Sequence, residues 1–65
     1  MLDRDKYRLQ KISDWILELN PSKPTNPNFS IRKEIVKEAE SKFQVDLMEN
    51  EVEWILENVA FWWEL

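Results

Sequence analysis

Residues 47–65 read LMENEVEWILENVAFWWEL, and this stretch decides what kind of fold the chain can form. At about 100° per residue it makes one helix with apolar side chains on two opposite sides. One side is formed by Met48, Val52, Ile55, Leu56, Val59, Trp62 and Trp63. The other side is formed by Leu47, Trp54, Phe61 and Leu65. Since a neighbouring helix covers one side only, we expect apolar surface to be left over.

Two further amphipathic helices precede this one. Helical spacing predicts the first over residues 3–19 and a stop at Asn20, because the residue before a proline is pushed out of the helical conformation. The bundle-facing side of this helix carries Leu9, Ile12, Ile16 and Leu19, with Leu2 and Trp15 at its edges. The second helix is predicted over residues 30–43, with Ser30 or Asn28 as its N-cap. Its apolar side carries Ile31, Ile35, Val36, Ala39 and Phe43.

The third helix is predicted over residues 47–63, with Asp46 and Glu49 as a capping box at its start. Three helices in 65 residues predict a single all-α domain, a small three-helix bundle over residues 1–65. The predicted core contains Leu9, Ile12, Ile16, Ile35, Ala39, Phe43, Val52, Ile55, Leu56 and Val59.

The connector of residues 20–29 places a proline at every third position, at Pro21, Pro24 and Pro27. Three residues per turn is the polyproline II repeat, so the prolines share one side of an extended segment. Two interpretations stay open at this point. The segment is a stiff connector in a chain without glycine, or it is a ligand for an aromatic-lined groove of the SH3 or WW kind.

Composition argues against several kinds of chemistry. The chain has no cysteine, histidine or glycine, which removes disulfides, ordinary zinc sites, the commonest general base and glycine-rich phosphate loops. Glu49, Glu53 and Glu57 follow one another at four-residue steps, but stacked carboxylates of one helix usually face water. We therefore expect no catalysis, no metal and no cofactor.

Charge is distributed unevenly along the chain. Residues 1–45 carry nine basic and seven acidic groups, whereas residues 46–65 carry six acidic groups and no basic one. Two interpretations of this acidic helix stay open: it pairs with Arg4, Arg8 and Lys11 of the first helix, or it steers a basic partner. An acidic helix argues against direct nucleic-acid binding and against a membrane anchor. No apolar run is long enough to span a membrane and no secretory signal is evident, so we expect a cytoplasmic protein.

Together these patterns favour a small non-catalytic protein–protein interaction module, acting as a regulator, adaptor or inhibitor. Trp54 and Phe61 are the predicted hot spot, because burying a large aromatic side chain is worth about 2–3 kcal/mol. The predicted contact residues are Leu47, Trp54, Phe61, Leu65, Glu53 and Glu57. The alternative is a structural homo-oligomer, a helical dimer that uses the same face to bind a second copy.

Overall fold

The computed structural model describes the backbone of residues 3–65 and the side chains from Lys6 onward, so Leu2 and the side chain of Arg4 lie outside the described part. The chain forms three helices: α1 (Asp3–Leu19), α2 (Ile31–Phe43) and α3 (Glu49–Trp63). The predicted all-α three-helix bundle is confirmed.

Helices α1 and α3 lie side by side and run in the same direction. The side-chain amide of Asn58 donates a hydrogen bond to the hydroxyl of Ser13. Further along both helices, the indole N–H of Trp63 donates to the backbone oxygen of Asn20 at 2.8 Å. Since the paired positions advance together, the C-terminal ends of α1 and α3 lie at the same end of the bundle.

Helix α2 lies across this pair. Its first turn reaches α3, where Arg32 bonds to Glu53. Its second half reaches α1, where the carboxylate of Glu38 accepts a hydrogen bond from the indole of Trp15 at 2.7 Å. The ammonium group of Lys42 lies 4.2 Å from the centre of the same indole ring, within the range of a cation–π contact. Trp15 therefore links the two helices from the edge of the core.

The core is built from all three helices. Its buried apolar residues are Leu9, Ile12, Ile16, Ile35, Ala39, Val52, Ile55 and Val59, all of them predicted. Phe43 and Leu56, also predicted, are only partly buried and pack against this cluster. Ser13 is the buried polar residue among those described, and its bond from Asn58 satisfies it. Val36, predicted on the apolar side of α2, is exposed because α2 contacts its neighbours through Ile35 and Ala39.

Helix α3 begins two residues later than predicted, and the caps of α2 and α3 give the reason. Ser30 is the N-cap of α2 and accepts a hydrogen bond from the backbone N–H of Lys33. After α2, Gln44 takes a left-handed conformation (φ 55°), residues 45–48 form no helix, and Met48 is extended. Met48 is therefore the N-cap of α3, in place of the predicted Asp46. The carboxylate of Glu51 accepts from the backbone N–H of Met48 at 2.8 Å, which is one half of a capping box.

Candidate interaction surface

Four apolar side chains are exposed at the end of the bundle where α1 and α3 finish. Phe61 is 58% exposed, Trp62 52%, Leu65 77% and Leu19 44%. We call these four residues the end patch. Two large exposed aromatics in a 65-residue protein are a concentrated apolar feature of the kind that marks interaction sites.

The two exposed aromatics of the end patch contact each other. The ring centres of Phe61 and Trp62 lie 5.7 Å apart, and the ring planes make an angle of 82°. This edge-to-face arrangement is a favoured geometry for aromatic pairs. Although consecutive helical residues point about 100° apart, the two rings thus form one continuous apolar surface.

Trp63 explains why its two neighbours are exposed. Its half-buried indole is tied to the backbone oxygen of Asn20, the residue that follows α1. Pro21 comes next and helix α1 has ended, so α1 has no further turn to cover the last turn of α3. With Trp63 directed toward α1, Phe61 and Trp62 are left on the outside.

The structure divides the apolar face that the sequence predicted as the binding site. Leu47 and Trp54 are partly buried and pack against the core, whereas Phe61 and Leu65 are exposed. The expected surplus of apolar surface therefore lies in the last turn of α3 and does not extend back to Trp54. A simple helical wheel did not predict that Leu47 and Trp54 pack against the core.

Sequence reasoning missed Trp62 and Leu19 as surface residues. The helical wheel placed Trp62 on the bundle-facing side of α3 and Leu19 on that of α1, yet both are substantially exposed. Met48, also placed on the bundle-facing side, is exposed at the start of α3. A wheel gives the direction of a side chain but not whether a neighbouring helix extends that far. Their position in the sequence could have indicated this exposure, because all three residues lie at a helix end.

The acidic residues of α3 fall into two groups. Glu53 bonds to Arg32, and this carboxylate, by its hydrogen bond and then by its charge, raises the pKa of the Arg32 guanidinium above its ordinary value. Glu49 adds a smaller effect in the same direction. Glu57 and Glu64 are exposed, and the described side chains include no ion pair for either. The predicted contact residue Glu53 thus belongs to the α2–α3 contact, while Glu57 faces solvent near Phe61.

The last turns of α1 and α3, beside the end patch, carry acidic side chains and no basic ones. Residues 16–20 and 60–65 contain no lysine or arginine, and they include Glu18 and Glu64. Neither α1 nor α3 has a basic residue in its last turn. Because a helix C-terminus carries roughly half a unit of negative charge, the two parallel helices add their dipoles to these carboxylates.

A shallow open depression lies on the outer side of α2 and has the opposite character. It is lined by Arg32, Lys33, Val36, Lys37, Glu40 and Ser41. Val36 is the exposed large apolar side chain among them. Three of the six lining residues are basic and one is acidic, while most of the exposed lining surface is apolar.

No protein-family model, curated protein or solved structure matches this chain. Among residues 6–65, the acidic side chains do not converge in any group of three or more that suits a metal ion. None of the helices in the described part combines the length and the apolar character needed to cross a membrane. What the protein does is therefore inferred from the chemistry of its own surface.

Proposed function

We propose that this protein is a small non-catalytic interaction module that binds another protein through the end patch. The observation that supports the proposal is the Phe61–Trp62 pair, packed ring against ring and more than half exposed. Burying a large apolar side chain is worth about 2–3 kcal/mol, and aromatic residues dominate the hot spots of known interfaces. A partner that covers the pair gains this energy without rearranging the bundle.

The contact centres on Phe61 and Trp62, with Leu65 and Leu19 beside them. Among the other residues predicted from sequence, Glu57 lies one turn before Phe61 and belongs to the rim of this surface. Leu47 and Trp54 support α3 from its packed side, and Glu53 holds α2 against it. Their contribution to binding is indirect, through the position of α3.

The biological role of the module stays a prediction from the sequence. A protein of this size that acts by contact is expected to be a regulator, adaptor or inhibitor of a larger one. A cytoplasmic location stays an expectation from the sequence alone. Direct binding to nucleic acid or to membrane is not expected, because the binding surface is acidic.

The proposal is tested by comparing two double variants in the native cell. Phe61→Ala/Trp62→Ala removes the aromatic pair, and Tyr7→Ala/Met48→Ala removes two similarly exposed side chains from the opposite end of the bundle. We expect a partner that wild type and the Tyr7/Met48 variant both retain, and that the Phe61/Trp62 variant loses. Circular dichroism checks that each variant folds. Retention of the same proteins by all three would contradict the proposed site.

A further inference from the structure

We infer that the partner segment that occupies the end patch is a basic amphipathic helix, apolar on one side and edged by lysine or arginine. This inference rests on the proposed function, because it specifies what binds at the same surface. It follows from three features of the surface: its rim charges, the helix dipoles beneath it and its shape.

The part of the rim that α3 contributes carries only negative charge. Glu57 precedes Phe61 by four residues and Glu64 follows it by three, so both carboxylates lie on the same side of α3 as Phe61. Both are exposed. Because no lysine or arginine occurs after residue 45, α3 supplies no cation to balance them. A partner with basic residues on either side of an apolar stripe matches this arrangement.

The backbone adds negative potential at the same place. The C-terminal ends of α1 and α3 lie together, as the bond from Trp63 to Asn20 shows. Neither helix has a basic residue in its last turn to offset its dipole. Cations are stabilising near helix C-termini, and lysine or arginine side chains of a partner would supply them at this end.

The shape of the surface favours a helix over an extended peptide. From Glu57 to Leu65 the contact residues follow one side of α3 and its last turn, over about 12 Å at 1.5 Å per residue. A second helix matches such a row with apolar residues at three- and four-residue steps. An extended peptide gains affinity by bonding its backbone to a sheet edge, and residues 3–65 as described include no strand.

A second copy of the chain is a poor occupant of the end patch. Symmetric pairing of two end patches would bring Glu57 and Glu64 toward the same carboxylates of the other copy. Pairing with the basic outer side of α2 would match charge, but it joins two different surfaces, so copies would add head to tail into a ring or an open chain. The first arrangement fails on charge and the second forms no closed dimer.

The test is a titration of the ¹⁵N-labelled full chain with three model helical peptides. The first alternates leucine and lysine at amphipathic spacing, the second replaces its lysines by glutamates, and the third replaces its leucines by alanines. The indole N–H signal of Trp62 reports the end patch, and the backbone N–H signal of the exposed Tyr7 reports the opposite end of the bundle. We expect the leucine–lysine peptide to shift Trp62 and to bind at least about tenfold more tightly than either of the others.

A charge-swap variant tests the sign of the interaction directly. Glu57→Lys/Glu64→Lys should bind the leucine–glutamate peptide more tightly than the leucine–lysine peptide, which reverses the preference of the wild type. Glu38 and Glu53 have partners within the bundle, so the exposed Glu40 of α2 serves as the control position. Glu40→Lys should keep the wild-type preference.

The outcomes separate this inference from the proposed function. If the leucine–glutamate peptide shifts Trp62 as strongly as the leucine–lysine peptide, the end patch is a docking surface but the basic partner is wrong. If no peptide shifts Trp62 while Phe61→Ala/Trp62→Ala still loses its cellular partner, the inference is overturned and the function stands. Sedimentation of the wild type at the titration concentration tests the remaining candidate occupant, a second copy of the chain. A wild-type dimer that Phe61→Ala converts to a monomer would assign the surface to a second copy.

Discussion

The indole nitrogen of Trp63 lies 2.8 Å from the backbone oxygen of Asn20, so the last turn of α3 is tied to the residue at which α1 stops. This bond determines which of three consecutive aromatic residues faces the bundle and which two face outward. Trp63 is directed into the bundle, and Phe61 and Trp62 remain outside, packed on each other. The anchoring of one tryptophan therefore creates the exposed surface to which we assign the function.

The first prediction concerns this anchor. Trp63→Phe keeps most of the apolar contact but removes the hydrogen bond, so the free energy of unfolding should fall by about 1 kcal/mol. Trp62→Phe changes an exposed ring whose indole N–H donates no hydrogen bond to the described residues. It should alter the free energy of unfolding by less than about 0.5 kcal/mol. Urea unfolding of both variants measures the difference. A larger loss for Trp62→Phe would contradict the described orientation of the two indoles.

The second prediction concerns the polar pair between α1 and α3. Asn58→Ala leaves the buried hydroxyl of Ser13 without its donor and should lower the free energy of unfolding by about 1–3 kcal/mol. In the double variant Ser13→Ala/Asn58→Ala, the loss should be smaller than the sum of the two single losses, by about 1 kcal/mol. A double-mutant cycle in urea measures this coupling. Strict additivity would show that the two side chains do not interact.

The third prediction concerns the end of α2. Gln44 holds a left-handed conformation that glycine adopts without a steric penalty, and its backbone N–H and that of Val45 bond back to Glu40 and Ala39. Gln44→Gly should therefore raise the free energy of unfolding by about 0.5–1 kcal/mol. Gln44→Val should lower it by about 1–2 kcal/mol, because a β-branched residue resists positive φ. Thermal and urea unfolding check the order of the three proteins, and equal stability would argue against this turn.

The fourth prediction concerns Trp15, which α2 holds through two side chains. Glu38→Ala removes the acceptor of the indole N–H and should lower the free energy of unfolding by about 1 kcal/mol. Glu40→Ala, an exposed carboxylate of the same helix, should change it by less than about 0.5 kcal/mol. Trp15 indole N–H exchange should also become faster in Glu38→Ala alone. Unchanged exchange would contradict the bond.

Much of the bundle follows from apolar spacing alone. Leu9, Ile12 and Ile16 repeat at three- and four-residue steps, which fixes the buried side of α1, and proline at position 21 fixes its end. The eight buried apolar residues were all predicted because each lies within an apolar arc of its helix.

The candidate site was harder to predict because it depends on where helices end and cross. Helical spacing gives the direction of Trp62 but not that α1 stops before reaching it. It also cannot show that α2 lies across the bundle and brings Arg32 to Glu53; among the side chains described from Lys6 onward, neither Arg8 nor Lys11 forms an ion pair with α3. Trp54 is partly buried against the core, so we place the proposed hot spot at Phe61 and Trp62 instead of Trp54 and Phe61.

The proposed function is tested most directly by a photo-activated cross-linker placed at position 61 in the native cell. Incorporation of p-benzoylphenylalanine in place of Phe61 keeps an aromatic side chain there, and the same substitution at the exposed Tyr7 provides a matched control at the opposite end. We expect a discrete cross-linked product between position 61 and a different protein, and none with that protein from position 7. Cross-links from position 61 only to a second copy of the chain, or equal products from both positions, would contradict it.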